Sequence, residues 1–121
     1  MGVRLASTHG VVTYAADWSA NLTVLGGTPR GGFDLPAAPA PPPLENKVYV
    51  CIFMSDGDNL QEDQGLIPLK WANGDRGNAP TAWTVSPALV DVAPVILRYF
   101  LRTATLHDVL VSGPSGLGYT Y

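Results

Sequence analysis

Two aspartates, Asp56 and Asp58, end a run of apolar residues and are separated only by Gly57. In an extended chain both carboxylates would point to the same side, with Cα atoms roughly 6.5 Å apart. Carboxylates this close take different protonation states or share a cation, so the pair predicts general acid/base or nucleophilic chemistry. The alternative is a solvated Asp-Gly turn in which Asn59 caps a following helix.

Metal-binding motifs around this pair are incomplete. A calcium loop of the Asp-x-Asp-x-Asn-Gly type requires Asp or Asn and then Gly where Leu60 and Gln61 stand. A zinc site requires histidines at the same edge of the sheet, but both histidines precede predicted strands. No cofactor is therefore expected, although a hard divalent cation held by Asp56 and Asp58 stays open as an alternative.

The Asp-x-Asp pattern also resembles the start of haloacid-dehalogenase-type phosphatases, in which the first Asp is the nucleophile and the second an acid or base. Ser86, at the end of the next predicted strand, would suit their second motif. However, Leu60 stands where Thr or Val is expected, and no Lys follows Ser86 in a suitable place. Phosphoryl transfer is therefore kept as an alternative function.

Three predicted strands and one long helix must position these side chains. Short helical pieces are also predicted around residues 60–64 and 69–72, with one helical turn within residues 21–25. Residues 47–55 are rich in β-branched and aromatic residues and predict a strand buried on both faces. Residues 81–85 and 108–111 predict two more strands, and residues 94–103 predict a helix that is apolar almost all round. This order implies parallel pairing with right-handed crossovers, so the predicted fold class is α/β.

Polar residues follow each of these strands, and the carboxyl ends of parallel strands meet at one edge of a sheet. The first strand delivers Asp56 and Asp58, the second Ser86, and the third Ser112 and Ser115. If residues 11–15 add a fourth strand, Asp17 and Trp18 join the same edge. The sequence therefore predicts one shared functional edge.

The composition excludes several classes of function. The chain has 121 residues, of which 46% are hydrophobic and 14% charged, with a formal net charge of −3. A scattered and slightly acidic charge predicts no nucleic-acid partner, and the apolar runs are too short to predict a membrane span. The single cysteine, Cys51, allows no internal disulfide and is predicted to be a buried structural residue.

The sequence predicts an incomplete domain that contains a proline-rich segment. Residues 35–46 are predicted to be an extended linker or surface crossing, because proline fixes φ and lacks an N–H donor. Residues 1–34 are assigned to the N-terminal portion of the same domain, and residues 47–121 to its β-loop-β-α-β core. A two-sided sheet needs more helices and strands than these, so the remainder of a truncated domain is the expected partner.

The C-terminal residues 116–121, with sequence GLGYTY, carry all but the final proline of the pattern Gly-x-Gly-Tyr-x-Tyr-Pro. With residues 16–22, 54–61, 83–87 and 112–116, this segment resembles the GxGYxYP putative glycoside hydrolase family over most of the chain. The resemblance implies a partial (β/α)-barrel-like sheet, an extracytoplasmic or secreted location and a carbohydrate substrate. It also implies that a second catalytic carboxylate lies outside this chain.

On this resemblance, Asp56 and Asp58 are the predicted catalytic residues of a glycosidase with a carboxylate acid/base mechanism. The predicted substrate-binding residues are Asp17, Trp18, Asn59, Ser86, Ser112, Ser115, Tyr119 and Tyr121. A carbohydrate-binding domain without turnover is the alternative from the binding class. The isolated segment is expected to be inactive by itself.

Overall fold

A three-stranded parallel sheet forms the centre of the protein in a computed structural model that describes residues 2–35, 37 and 40–119. The strands are β1 (Phe53–Met54), β2 (Thr81–Val85) and β3 (Asp108–Ser112), in the order β1-β2-β3. Their register pairs Met54 with Trp83 and Val85 with Ser112. The sheet is open rather than closed, and the α/β fold class predicted from the sequence is confirmed.

Six helices accompany the sheet in the described part of the chain: α1 (Gly2–Thr8), α2 (Leu22–Gly26), α3 (Leu60–Gln64), α4 (Leu66–Trp71), α5 (Leu89–Val92) and α6 (Pro94–Thr103). Helices α1 and α5 are not predicted by the sequence patterns. Residues 11–15, predicted as a strand, form only an isolated antiparallel bridge between Thr13 and Tyr119. No helix among the described residues has the length and hydropathy needed to cross a membrane.

The hydrophobic core lies between the sheet and helices α3, α4 and α6. Trp71 is its central side chain and makes edge-on contacts with Trp83 and Phe100, with both ring centroids 5.0 Å away. All three side chains are buried, so Trp83 packs in the hydrophobic core. These ring contacts pack α4 and α6 against β2. The packing holds the sheet rigid, and the loops that follow its strands start from this rigid support.

Helix α6 was expected to be buried on nearly all sides, and this prediction is wrong. Its buried residues are Pro94, Leu97 and Phe100, which recur every three positions along one face. Val95 and Tyr99 on the opposite face are 39% and 42% exposed. The helix therefore packs against the sheet by a single stripe, and its apolar outer residues remain at the surface.

The segment before β1 departs most from the prediction of a strand buried on both faces. Only Phe53 and Met54 form β1, which stands at the edge of the described sheet and pairs with β2. Val48, Val50 and Phe53 are 89%, 79% and 59% exposed. Cys51 is likewise exposed, so its predicted burial is wrong.

The described residues of the proline-rich strip, residues 35, 37 and 40–43, lie in neither a helix nor a strand. This backbone is what proline favours, since its ring fixes φ and removes a hydrogen-bond donor. The division of the chain into residues 1–34, 35–46 and 47–121 stays a prediction.

Asp108, the first residue of β3, links β3 to β2 and to the segments that precede both strands, at the amino-terminal edge of the sheet. Its Oδ2 forms an ion pair with Arg76 and accepts hydrogen bonds from the N–H and hydroxyl of Thr105, both at 2.8 Å. Its Oδ1 accepts a hydrogen bond from Nε1 of Trp83, also at 2.8 Å. Burial acts to raise the pKa of Asp108, but these donors and the Arg76 charge together hold it below the ordinary 3.8.

We expect Asp108→Ala to lower the free energy of unfolding by about 3 kcal/mol, because it leaves Arg76 and the Trp83 indole without their buried acceptor. The pKa is lower in the folded state, so this stabilisation is complete above pH 3.8 and is lost as the pH falls through the lowered value. Urea unfolding at several pH values measures both effects. Asp75→Ala, at a neighbouring exposed aspartate, is the control, and an equal loss in both variants would contradict this role.

Candidate active site

The loop after β1 is anchored to β2 through Gly57. The Gly57 N–H donates to Oγ1 of Thr84 at 2.9 Å, and that hydroxyl donates to the carbonyl of Met54 at 2.9 Å. A Cβ at position 57 would lie 1.7 Å from the Thr84 carbonyl oxygen, so only glycine fits here. This close approach fixes where the two predicted catalytic aspartates leave the sheet.

Asp56 and Asp58 do not point to the same side, contrary to the expectation for an extended chain. Asp56 adopts a φ of 90°, and its carbonyl accepts a hydrogen bond from the Asn59 N–H at 3.1 Å. This turn leaves Asp56 exposed and buries Asp58, whose exposed fraction is 6%. The carboxylates therefore lie in different surroundings, which does not favour a cation shared by the two.

Asp58 is held by the loop that follows β3. Its Oδ2 accepts hydrogen bonds from the hydroxyl of Ser115 at 2.6 Å and from the Ser115 N–H at 3.3 Å. Gly113 lies against it, since a Cβ on Gly113 would be 2.6 Å from the Cβ of Asp58. The other oxygen, Oδ1, is buried and has no hydrogen-bond partner among the described residues. One oxygen is thus oriented while the other is left unpaired.

The glycine-tyrosine tail meets the same loop. The Tyr119 hydroxyl donates to Oδ1 of Asn59 at 2.8 Å, and the Tyr119 N–H donates to the Thr13 carbonyl at 2.8 Å. The Leu60 N–H donates to the carbonyl of Ala15 at 2.9 Å. The tail, the N-terminal segment and the loop after β1 therefore converge. Tyr121 lies outside the described residues.

Asp63 is a second buried carboxyl group that the sequence analysis missed. It lies on α3, is 0% exposed, and accepts a hydrogen bond from the Ser86 N–H at 3.2 Å through Oδ2. Burial raises the pKa of Asp63 to about 8; the Ser86 hydrogen bond opposes this, and the charges of Asp58 and Glu62 add to it. The available signal was its spacing, because Leu60, Asp63 and Ile67 share the buried side of α3 and α4.

Ser86 forms hydrogen bonds through both its backbone and its side chain. It is completely buried, and its hydroxyl accepts a hydrogen bond from the Ala88 N–H at 3.3 Å, at the start of α5. Ser112 ends β3 and is exposed. Of the predicted residues, hydrogen bonds link Asp58 to Ser115 and Asn59 to Tyr119 within one cluster, whereas Ser86 reaches that cluster through Asp63.

Asp17 and Trp18 lie beside a surface groove instead of at a strand end. The Asp17 N–H donates to Oε1 of Gln61 at 2.9 Å, which ties this segment to α3. Trp18 is 84% exposed. It borders a groove of about 450 Å³ whose other lining residues are Gln61, Glu62, Gln64, Gly65 and Leu66. The structure thus combines an exposed indole with amide and carboxylate groups on α3.

No three His, Cys, Asp or Glu side chains come together to hold a metal ion within residues 2–35, 37 and 40–119. The chemistry that these residues themselves offer is proton transfer by buried carboxyl groups, with hydroxyl and amide groups for orientation.

Comparison with known proteins adds a family and a solved structure. Residues 46–121 match the family model of the GxGYxYP putative glycoside hydrolase C-terminal domain. The chain is also similar to a solved structure, described as a putative hydrolase from Bacteroides thetaiotaomicron, with 32% sequence identity and a TM-score of 0.86. The similarity covers 99% of this chain and 24% of the hydrolase, so the chain spans about a quarter of that protein's length. A search of the curated proteins gave no significant match.

Proposed function

The chain belongs to the GxGYxYP putative glycoside hydrolase family, and from that premise we propose that it takes part in hydrolysing glycosidic bonds of an oligo- or polysaccharide. The observation that carries the proposal is the placement of Asp58. This carboxylate is buried, is oriented by Ser115, and lies at the carboxyl edge of a parallel sheet. In parallel α/β proteins this edge is where substrates bind.

In the proposed mechanism, Asp58 serves as the acid or base and Asp56 does not. A general acid gives its proton to the glycosidic oxygen while the bond from that oxygen to the anomeric carbon breaks, and water completes the hydrolysis. The hydrogen bonds from Ser115 fix the orientation of the Asp58 carboxyl group through Oδ2. Glycosidases use a second carboxylate roughly 5 to 9.5 Å away, which we expect on another strand.

Sugar binding is proposed at two neighbouring surfaces. The groove beside Trp18 offers a flat apolar ring for a sugar face, together with the amides and carboxylate of α3 for its hydroxyls. At the sheet edge, Asn59, Ser115 and Tyr119 present an amide and two hydroxyls around Asp58. Ser112 is exposed at the end of β3 and adds a third hydroxyl.

We expect Trp18→Ala to weaken oligosaccharide binding roughly three- to tenfold, because removing the indole removes its stacking contact. Isothermal titration with soluble oligosaccharides measures this change. Tyr49→Ala is the matched control, since Tyr49 is also an exposed aromatic residue but does not line the groove. Equal weakening in both variants would contradict sugar binding in the groove.

The proposed reaction is tested on a chain long enough to supply the second carboxylate, by incubating it with a panel of oligo- and polysaccharides and measuring newly formed reducing ends. New reducing ends are the expected result. Binding without new reducing ends would overturn the hydrolase and support the sugar-binding alternative. Release of phosphate from phosphorylated sugars without glycoside cleavage would overturn it in favour of phosphoryl transfer.

A further inference from the structure

The turn at residues 16–20, which carries Trp18, is not held in place by burial of the indole. Trp18 is 84% exposed, so its ring gains little from packing, unlike the two buried tryptophans of the core. Within the turn, the Ser19 N–H donates to the carbonyl of Ala16 at 3.0 Å. A bond inside a turn fixes its shape but not its place on the protein. Contacts with another element must therefore set the position of the indole.

Two glutamines of α3 supply such contacts, one on each side of Trp18. Oε1 of Gln61 accepts a hydrogen bond from the Asp17 N–H at 2.9 Å. Oε1 of Gln64 accepts one from the Ala20 N–H at 2.8 Å, and its Nε2 donates to the Ala20 carbonyl at 3.2 Å. No other side chain in the described part of the protein forms a hydrogen bond with this turn. The two glutamines therefore fasten the backbone on both sides of the indole.

The position of these hydrogen bonds says more about Trp18 than about the stability of the fold. Gln61 and Gln64 are three residues apart, so they project from the same side of α3. Hydrogen bonds at an exposed site add little net stability, because water competes for the same groups. Ordering two long side chains also has an entropy cost. Their clearest effect is thus to fix the place of the turn.

Helix α3 also lies next to the proposed catalytic carboxylate. It begins at Leu60, two residues after Asp58, and the Leu60 N–H donates to the carbonyl of Ala15, just before the turn. The turn is therefore attached to the same helix that follows Asp58. The indole and the carboxylate share one support, which keeps a sugar-binding ring in a constant position relative to the reacting group.

We propose that Gln61 and Gln64 are positioning residues, which hold the indole of Trp18 ready for a sugar ring before the substrate binds. The inference rests on the proposed function. A binding group that is already in place loses no further freedom when its ligand arrives, so its contact contributes more to affinity. The glutamines act through Trp18, since their hydrogen bonds go to the backbone on either side of it.

Hydrogen exchange of single amides, measured by NMR on the intact protein, tests this role without any substrate. Gln61→Met removes the acceptor and keeps the length of the side chain, so it should speed exchange of the Asp17 N–H about three- to tenfold. Gln61→Glu is the matched control, because its carboxylate still accepts this hydrogen bond and should keep the protection. Gln64→Met should speed exchange of the Ala20 N–H to a similar extent, with the amides of β2 unchanged.

Two exchange results would overturn the positioning role. The first is the same exchange rate for these two amides in the wild type and in the methionine variants. The second is loss of protection in β2 as well, which would assign the glutamines to the stability of the whole fold.

Binding shows whether the glutamines act through Trp18. The probes are neutral hexasaccharides of glucose, xylose or mannose, titrated calorimetrically. We expect Gln64→Met to weaken binding about threefold by itself and to have no further effect in a Trp18→Ala background. An equal loss in both backgrounds would overturn the action through Trp18, since it would show that Gln64 serves the site without the indole.

The two experiments separate this inference from the proposed function. Protected amides in a protein that binds none of the hexasaccharides would show that the turn is held, but would overturn sugar binding in the groove and with it the purpose assigned to the glutamines. Sugar binding that Trp18→Ala weakens and the methionine variants do not would leave the proposed function standing and overturn the inference.

Discussion

Asp58→Asn is expected to lower kcat for glycoside hydrolysis by about a hundredfold to ten-thousandfold, with KM changed only slightly. Asparagine has nearly the same shape, and its amide oxygen can still accept the two hydrogen bonds from Ser115. What it lacks is a proton that can be given up and taken back. Steady-state kinetics on a cleaved oligosaccharide, with thermal melting as the check on folding, measures the effect.

Asp56→Asn is the control for this prediction, since Asp56 lies two residues away on the exposed side of the same turn. Asparagine tolerates a positive φ as well as aspartate does, so the backbone should be undisturbed. We expect kcat to stay within about threefold of the wild type, the range typical of exposed charges away from the reacting atoms. A larger loss in Asp56→Asn than in Asp58→Asn would reverse the assignment of the catalytic carboxylate.

Gly57→Ala is expected to destabilise the protein by more than about 3 kcal/mol. The added Cβ would lie 1.7 Å from the Thr84 carbonyl oxygen and 2.3 Å from its carbon, both of which are backbone atoms of the central strand. Relief requires β1 and the loop after it to move away from β2, which breaks the Gly57 hydrogen bond to Thr84. Urea unfolding gives the free energy directly.

Gly74→Ala supplies the comparison for this variant. Gly74 is exposed, its φ lies outside the left-handed region, and a Cβ there would meet nothing within 4 Å. We expect the free energy of unfolding to change by less than about 0.5 kcal/mol. Similar losses at positions 57 and 74 would show that the close approach of Gly57 to Thr84 contributes little to stability.

Local sequence patterns correctly predicted the helices and strands whose signals lie within or next to the element itself. The strand Thr81–Val85, the short helix Leu60–Gln64 and the helix Pro94–Thr103 all have the predicted boundaries. Each has a clear signal, such as β-branched residues followed by Ser-Pro, or proline in a first helical turn. The parallel arrangement followed from the alternation of strands with crossovers, and it brought the loops bearing Asp58 and Ser115 together.

The failed predictions concern what lies next to a residue in space. An apolar run such as residues 47–55 has the same composition whether it is central or at an edge, so burial of β1 could not be read from it. The divergence of Asp56 and Asp58 depends on a positive φ at a residue other than glycine, which spacing does not reveal. Asp63 lies in a short polar helix, and its burial depends on contacts with distant parts of the chain, such as the hydrogen bond from the Ser86 N–H.

The uncovered edge of the sheet has a practical consequence for anyone who produces this chain by itself. Val48, Val50 and Ile52, which precede β1, expose apolar surface next to the edge of the sheet, beyond which the described residues form no further strand. An edge of this kind favours aggregation, because unpaired backbone groups and exposed apolar side chains can pair with a strand of another molecule. We expect purification at low protein concentration, together with a charged residue in place of Val50, to reduce aggregation through this edge.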